Sequence, residues 1–307
     1  MKNFYQKIIN KAKLLNKTII LLESDVDPRI EAATHYIQEN SIANIILLEK
    51  SEYFTDSKLK NDLAQKLFEI RKEKGMSLEE AQRLINDPFY LGMMMVKENL
   101  ADGLVGGSAS PTPRLLKPTL QILKEKDKYA SGFFIMGNEE KTFIFADCAI
   151  NPDPSVEQLA NIAIDSAESY IHLIEEESPR IAMLSYSTKD SSSGPSVEKV
   201  KQATLLIKQK NPNLLIDGEL QLDAALLPET SKLKCPNSPI KGNANIIIFP
   251  DLNSGNIGYK MAKIFGKLNA FGPLIQGLEK PINDLSRSCA IEDIIGVVAI
   301  TAIQSSI

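Results

Sequence analysis

"RIAMLSYSTKDSSSGPSVEKVKQATLLIKQKNPNLLIDG", Arg180–Gly218, decides how this chain is to be read. It opens with a short apolar run, RIAML, and closes on another, LLIDG. Both have the length of a strand and little polar alternation. SVEKVKQATLLIKQK, between them, is helical in character. Strand, helix, strand in that order indicates parallel strands, each apolar enough to be covered on both faces.

The same alternation runs outward in both directions. TIILL (18–22) and NIILL (44–48) flank a helix near Ile30–Gln38. Two helical stretches follow, LKNDLAQKLFEIRKEKG and SLEEAQRLINDP. In the second, Ser77 is the expected N-cap and Glu80 the other half of a capping box. Next come DGLVGG, a helix near Arg114–Lys126, and GFFIM beside TFIFAD. SVEQLANIAIDSAESYIHLI reads as a helix, ELQLDAALLP as another, and NIIIFP as a strand. The expectation is an α/β protein with parallel sheets, and 307 residues suggest two domains.

Composition narrows the partners. A formal net charge of -4 is not the footprint of a nucleic-acid binder. No apolar run reaches membrane-spanning length, so no membrane partner is expected. MKNFYQKIINKAKLLNKT lacks the continuous apolar core of a signal peptide, which makes a cytoplasmic location the expectation. Cys148, Cys235 and Cys289 are too scattered for a disulfide framework or a metal site. His35 and His172 both fall in helical stretches, so a histidine-dependent triad is not expected.

Polar loops follow the strands, where open α/β sheets place their ligands. GGSASPTPR (106–114) is Gly-rich, offers Ser108, Ser110 and Thr112, and leads into a helix. Backbone amides and hydroxyls at a helix N-terminus suit an anion. Lys117, one turn after Arg114, adds positive charge. The loop lacks the endings of a P-loop or a dinucleotide-binding turn, and a plain linker with a helix cap remains the other reading. SYSTKDSSSGPS (185–196) is equally open between a phosphate-holding loop and a solvated turn. Asp147, Asp153, Asp217 and Asp251 lie near strand ends without metal-site spacing, so no metal is expected. Arg71 ends a helix, where a cation is favoured anyway.

NDLSRSCAIEDI (283–294) poses the sharper question, because IGVVAITAI follows it. A helix from about Cys289 has one apolar face at Ile291, Ile294, Ile295, Val298 and Ala302, and a second stripe at Val297 and Ile300. Asp293 falls on that second stripe. Enclosed among apolar groups, its carboxyl would be pushed up and suited to act as a base. The alternative is an acid in the first turn of a helix, where the macrodipole favours negative charge. Cys289, near a helix start and an arginine, is read as a packing residue.

ADGLVGGSAS…KPTLQIL, FADCAINPDPSVEQLANIAIDSA, RIAMLSYST, LLIDGELQLDAAL, NIIIFPDLNSGNIGYK, GPLIQGLEKPINDLSRS and AITAIQ together, and in order, resemble the phosphate acetyltransferase family. The resemblance spans nearly the whole chain and is loose only over the first ~60 residues. It implies two α/β domains with a cleft between them, isopropylmalate-dehydrogenase-like: 1–131 with 273–307, and 132–272. It implies a homodimer that interconverts acetyl-CoA and phosphate with acetyl phosphate and coenzyme A. CoA is then a substrate, and no cofactor is expected. Asp293 matches the general base for the CoA thiol, Arg287 the phosphate-holding arginine, and Ser286 the hydroxyl that stabilises the oxyanion. Arg71 matches a second substrate-associated arginine. Ser108, Ser110, Thr112 and Asn283 join the substrate-binding candidates. Lys117 stands where the family usually has an arginine, and Ser288 where glycine is common. Phosphate butyryltransferase is the nearest rival, and a decarboxylating dehydrogenase or a non-catalytic relative the more distant ones.

Overall fold

The computed structural model describes residues 2–125, 128–175 and 178–306, with the backbone alone at residues 2 and 3. Among these residues the strands are β1 (Thr18–Leu21), β2 (Asn44–Leu47), β3 (Gly103–Gly106), β4 (Ser131–Gly137), β5 (Thr142–Ala146), β6 (Arg180–Leu184), β7 (Leu215–Leu220), β8 (Ile246–Ile248), β9 (Asn269–Gln276) and β10 (Ile282–Asp284). The α-helices are α1 (Lys2–Lys13), α2 (Pro28–Glu39), α3 (Ser57–Arg71), α4 (Leu78–Leu84), α5 (Pro88–Lys97), α6 (Thr112–Ile122), α7 (Val156–Leu173), α8 (Pro195–Lys210), α9 (Leu222–Leu226), α10 (Pro228–Lys234), α11 (Leu252–Ile264) and α12 (Ile291–Gln304).

The chain forms two compact units, Met1–Asn3 with Asp127–Gly277, and Phe4–Lys126 with Leu278–Ile307. They divide at 3/4, 126/127 and 277/278; the resemblance implies crossings near 132 and 273.

In the unit formed by Phe4–Lys126 with Leu278–Ile307, the strand order is β2-β1-β3-β10 and every pairing is parallel. Helices cover both faces of this sheet, and two glycines show how closely. A Cβ on Gly103 would lie 2.6 Å from the Thr301 Cγ2 of α12. A Cβ on Gly92 of α5 would lie 2.6 Å from Leu104 Cδ1. Gly103 and Leu104 are successive in β3 and so face opposite sides. Each side of the strand therefore carries its own helix.

Ile294–Ile303 of α12 are all buried, as an all-round apolar helix requires. α5, from Phe89 to Val96, is buried in the same way. Its run of apolar residues has no 3.6-residue period, which is why the sequence did not mark it as a helix. Ser77 caps α4 by accepting the Glu80 N–H at 3.1 Å.

The middle unit has the order β9-β4-β5-β8-β6-β7. β5, β8, β6 and β7 pair in parallel, so the strand–helix–strand reading of Arg180–Gly218 holds through β6, α8 and β7. β4 is antiparallel to both β5 and β9, which corrects the wholly parallel expectation. Four residues, 138–141, separate β4 from β5. A link that short can only return the chain as a hairpin, because a parallel crossover needs a dozen residues or more. ELQLDAALLP is divided as well: its first residues finish β7, and Pro228 starts α10 after the short α9. Ser155 opens α7 with a capping box: its hydroxyl accepts the Gln158 N–H, and the Gln158 side-chain oxygen accepts the Ser155 N–H.

Candidate active site

The loops that leave the carboxyl ends of β1, β3 and β10 supply most of the candidate residues. Two buried carboxylates and one arginine organise them. Glu23 follows β1 with φ +67°. Its Oε2 accepts the N–H of Gly107 at 2.7 Å, the N–H of Ala109 at 3.2 Å and the Ser108 hydroxyl at 3.2 Å. Its own N–H donates to Glu49 at 2.7 Å. The Gly-rich loop after β3 is therefore wrapped around a carboxylate belonging to the protein.

Asp284, the last residue of β10, is 1 % exposed. Its Oδ2 accepts the Thr112 hydroxyl at 2.7 Å. Burial, with the charge of Glu23 adding to it, pushes the Asp284 carboxyl up to about 7, against the pull of Thr112 and the Leu285 N–H. Oδ1 of Asp284 and Oε1 of Glu23 are buried with no hydrogen-bond partner among the described residues.

Arg29, near the start of α2, forms a bidentate pair with Asp27, through Nε to Oδ1 at 3.0 Å and Nη2 to Oδ2 at 2.7 Å. Nη2 also donates to the Ser108 carbonyl at 2.9 Å. Nη1 donates to the carbonyls of Arg287 at 3.2 Å and Cys289 at 2.6 Å. The pairing lowers the Asp27 carboxyl and raises the Arg29 guanidinium, each chiefly through the hydrogen bond to the other.

Against this frame the sequence candidates fall into three groups. Ser286, Arg287 and Asp293 share the segment that runs from β10 into α12, and Ser286 and Arg287 are exposed. The hydroxyls of Ser286 and Ser288 lie 3.0 Å apart. Of the two readings of Asp293, an enclosed acid or an acid in a helix's first turn, its position matches the second. α12 starts at Ile291, not Cys289, which puts Asp293 in the first turn, where it is half-buried. Its Oδ2 accepts the Ala290 N–H at 2.9 Å, so it caps the helix on which it sits.

A second group has hydroxyls or amides already engaged by the protein. Ser108 is 1 % exposed and bonded to Glu23. Thr112 is bonded to Asp284. Ser110 is buried and accepts from Arg114 Nη1 at 3.4 Å. Asn283 is fully buried and its amide donates to Thr301 at 2.8 Å and Gln304 at 2.7 Å. That anchors β10 to α12. The Ser108 hydroxyl is likewise turned toward Glu23.

The third group is cationic. Lys117 is exposed on α6. Arg71 ends α3, half-buried, and its Nε has no hydrogen-bond partner among the described residues. Arg114, on α6, stacks over Phe89 at 4.7 Å and reaches Asp87 at 4.0 Å. α6 begins at Thr112 without a side-chain cap and without an acid in its first turn, unlike α2 and α12. Its N-terminus thus keeps the anion preference expected of GGSASPTPR, although the Gly107 and Ala109 amides do not.

Other residues take the plainer readings. Cys289 is 7 % exposed and its thiol is raised, mainly by burial. Asp147 staples its own loop by accepting the N–H groups of Ala149, Ile150 and Asn151. Asp217 pairs with Lys189, Asp251 caps α11, and Asp153 pairs with Lys199. His35 sits on the surface of α2 beside Glu39. No cluster of three potential metal ligands occurs among the described residues. Arg29 and Glu23 were not singled out from the sequence. The DVDPR start of α2 was the only local sign of the first, and nothing local marks the second.

The family model described as phosphate acetyl/butaryl transferase matches residues 3–302. A phosphate acetyltransferase of Thermoanaerobacterium thermosaccharolyticum is 45 % identical over 98 % of this chain and 98 % of its own. One of Acetivibrio thermocellus is 43 % identical over 99 % of this chain and 98 % of its own. The solved structure of a phosphotransacetylase from Streptococcus pyogenes, 38 % identical, superposes with a TM-score of 0.90 over 100 % of this chain and 99 % of that one. On full-length matches of this kind, the chain belongs to the phosphate acetyl/butaryl transferase family.

Proposed function

We propose that the protein interconverts acetyl-CoA and phosphate with acetyl phosphate and CoA. One observation carries the reading to this site: the segment bearing Ser286, Arg287 and Asp293 leaves the carboxyl end of a parallel strand and enters a helix N-terminus. Asp293 takes the proton of the CoA thiol. Its Oδ2 is committed to Ala290, which leaves Oδ1 to receive that proton. The thiolate sulfur attacks the carbonyl carbon of acetyl phosphate. The Ser286 hydroxyl donates to the developing oxyanion. The carbon–oxygen bond to phosphate then breaks, and phosphate leaves in the planar fork of Arg287. The loop bearing Ser286 and Arg287 is exposed where the reacting groups must arrive.

Arg71, Lys117 and the uncapped start of α6 supply positive potential for the phosphates of CoA or for acetyl phosphate. Ser110 and Thr112 act by shaping that helix start, through Arg114 and Asp284. The charge work is done by side chains, so we propose a reaction without a metal or a redox cofactor. Activity is expected to survive exhaustive EDTA treatment at constant monovalent salt.

The names of the relatives favour acetyl over butyryl transfer. Rates with acetyl-, propionyl- and butyryl-CoA measure the acyl limit. A homodimer is part of the proposal. Ile257, Met261 and Ile264 of α11, with Phe265 at its C-cap, leave an exposed apolar side that a second copy would cover. Light scattering on wild type and Phe265→Glu tests it. No helix among the described residues is long and apolar enough to cross a membrane; a cytoplasmic location is part of the proposal. The activity itself is tested by release of CoA from acetyl-CoA, followed with a thiol reagent. Release that depends on phosphate supports the reading; release that is indifferent to phosphate opposes it.

A further inference from the structure

We infer that Arg29 is a positioning residue for the reaction: it locks the loop carrying Ser286 and Arg287 against the loop that leads into α6. The inference rests on the function proposed above for the β10–α12 segment.

The argument is one of hydrogen-bond accounting. A guanidinium has five N–H donors and no acceptor. In Arg29 the Nε–H goes to Asp27, the two Nη2 donors to Asp27 and the Ser108 carbonyl, and the two Nη1 donors to the carbonyls of Arg287 and Cys289. All five are spent on the protein. Arg29 has none left for a phosphate or a thioester, so it does not act by binding substrate.

What it holds is informative. Asp27 fixes Arg29 at the N-terminus of α2, because the same carboxylate also caps that helix. Asp27 is 5 % exposed at its side chain, a rigid and dry anchor for one edge of the guanidinium. The other edges meet carbonyls of residues 79 and 258 or 260 positions away along the chain. The two carbonyls of the β10–α12 segment belong to Arg287 and Cys289, on either side of Ser288. Fixing both sets the path of the backbone between the Ser286 hydroxyl and the start of α12. Without that clamp, Ser286, Arg287 and Ser288 are side chains on an exposed turn. Lysine keeps the charge, but its three donors on a single nitrogen cannot span Asp27, Ser108 and both carbonyls.

The test compares wild type, Arg29→Lys and Arg29→Ala in steady-state kinetics, with added guanidinium ion at concentrations below those that denature. Both variants are expected to lose kcat on the order of 10²-fold, the typical cost of an ångström-scale misplacement. KM for CoA should change little. Guanidinium, but not methylammonium at equal ionic strength, should restore part of the kcat of Arg29→Ala. Unchanged kcat in both variants, or a loss that guanidinium does not restore, overturns the inference. Amide hydrogen exchange on wild type and Arg29→Lys gives a readout independent of turnover. Exchange should quicken at residues 286–290 and 107–110 and stay unchanged in the middle unit; identical exchange in the two proteins overturns the clamp. A wild-type enzyme without phosphate-dependent CoA release would sink the proposed function, and the exchange result would still decide whether Arg29 holds the two loops.

Discussion

Asp284 accepts the hydroxyl of Thr112 at 2.7 Å while its other oxygen, buried, faces Gly107 so closely that a Cβ there would lie 2.0 Å away. This carboxyl is pushed up to about 7, first by burial and then by Glu23. A folded-state value above the ordinary carboxylate range means that the folded protein holds the proton more tightly than the unfolded chain. Its stabilising effect is complete below the ordinary carboxylate range and is lost as pH rises through about 7. Asp284→Asn removes the titration and keeps an oxygen for Thr112. The melting temperature of wild type relative to this variant is therefore expected to fall between pH 5 and pH 8. A difference that stays constant with pH would contradict the shift.

Gly107→Ala should destabilise the fold by more than about 2 kcal/mol, because backbone strain and a clash with a fixed carboxylate add together. Gly107 has φ +94°, and Gly75, with φ +85° and open space around it, is the control. Gly75→Ala should cost only about 1 kcal/mol, from the backbone alone. Urea unfolding of both variants measures the difference, and equal costs would show that Asp284 yields to the new methyl group.

Asp293→Asn should lower kcat by roughly 10²–10⁴-fold, the usual range for a lost general base. Asparagine keeps an oxygen for the Ala290 N–H, so the start of α12 survives and the change isolates the charge. CoA affinity, measured by calorimetry, should be largely retained. Near-wild-type kcat at neutral pH would remove Asp293 from the chemistry.

Much of this arrangement was legible in the sequence wherever a feature is local. β6, α8 and β7 follow from an apolar run, an amphipathic run and another apolar run. The buried α12 follows from IGVVAITAI, and the cap at Ser77 from its spacing. What escaped depends on contacts between distant segments or on small shifts of boundary. Glu23 meets Gly107 across 84 positions and Arg29 meets Cys289 across 260, and a single sequence carries no sign of either pair. For Asp293 the sequence left a buried stripe and a first-turn acid both open, and a helix start two residues beyond Cys289 decides for the first turn. The antiparallel β4 was hidden because its composition matches that of its parallel neighbours. Only the four-residue link to β5 distinguishes it.

Lys117 stands exposed on α6, one turn beyond the cation–π contact of Arg114 with Phe89. Lys117→Ala should raise the KM of a phosphorylated substrate, because a point charge is lost. Lys117→Arg should preserve activity or lower that KM, because a fork replaces the point charge. Steady-state kinetics on both variants decides the matter. Two silent substitutions, each within about 0.5 kcal/mol, would make Lys117 a solvated surface residue.

The central claim is acyl transfer between phosphate and a CoA thiol at the β10–α12 segment. Its most direct measurement mixes acetyl phosphate with CoA and follows thioester and phosphate together. The account predicts one thioester formed for each phosphate released, with turnover strongly reduced in Asp293→Asn. Phosphate released without thioester, or thioester formed equally well by Asp293→Asn, would contradict it.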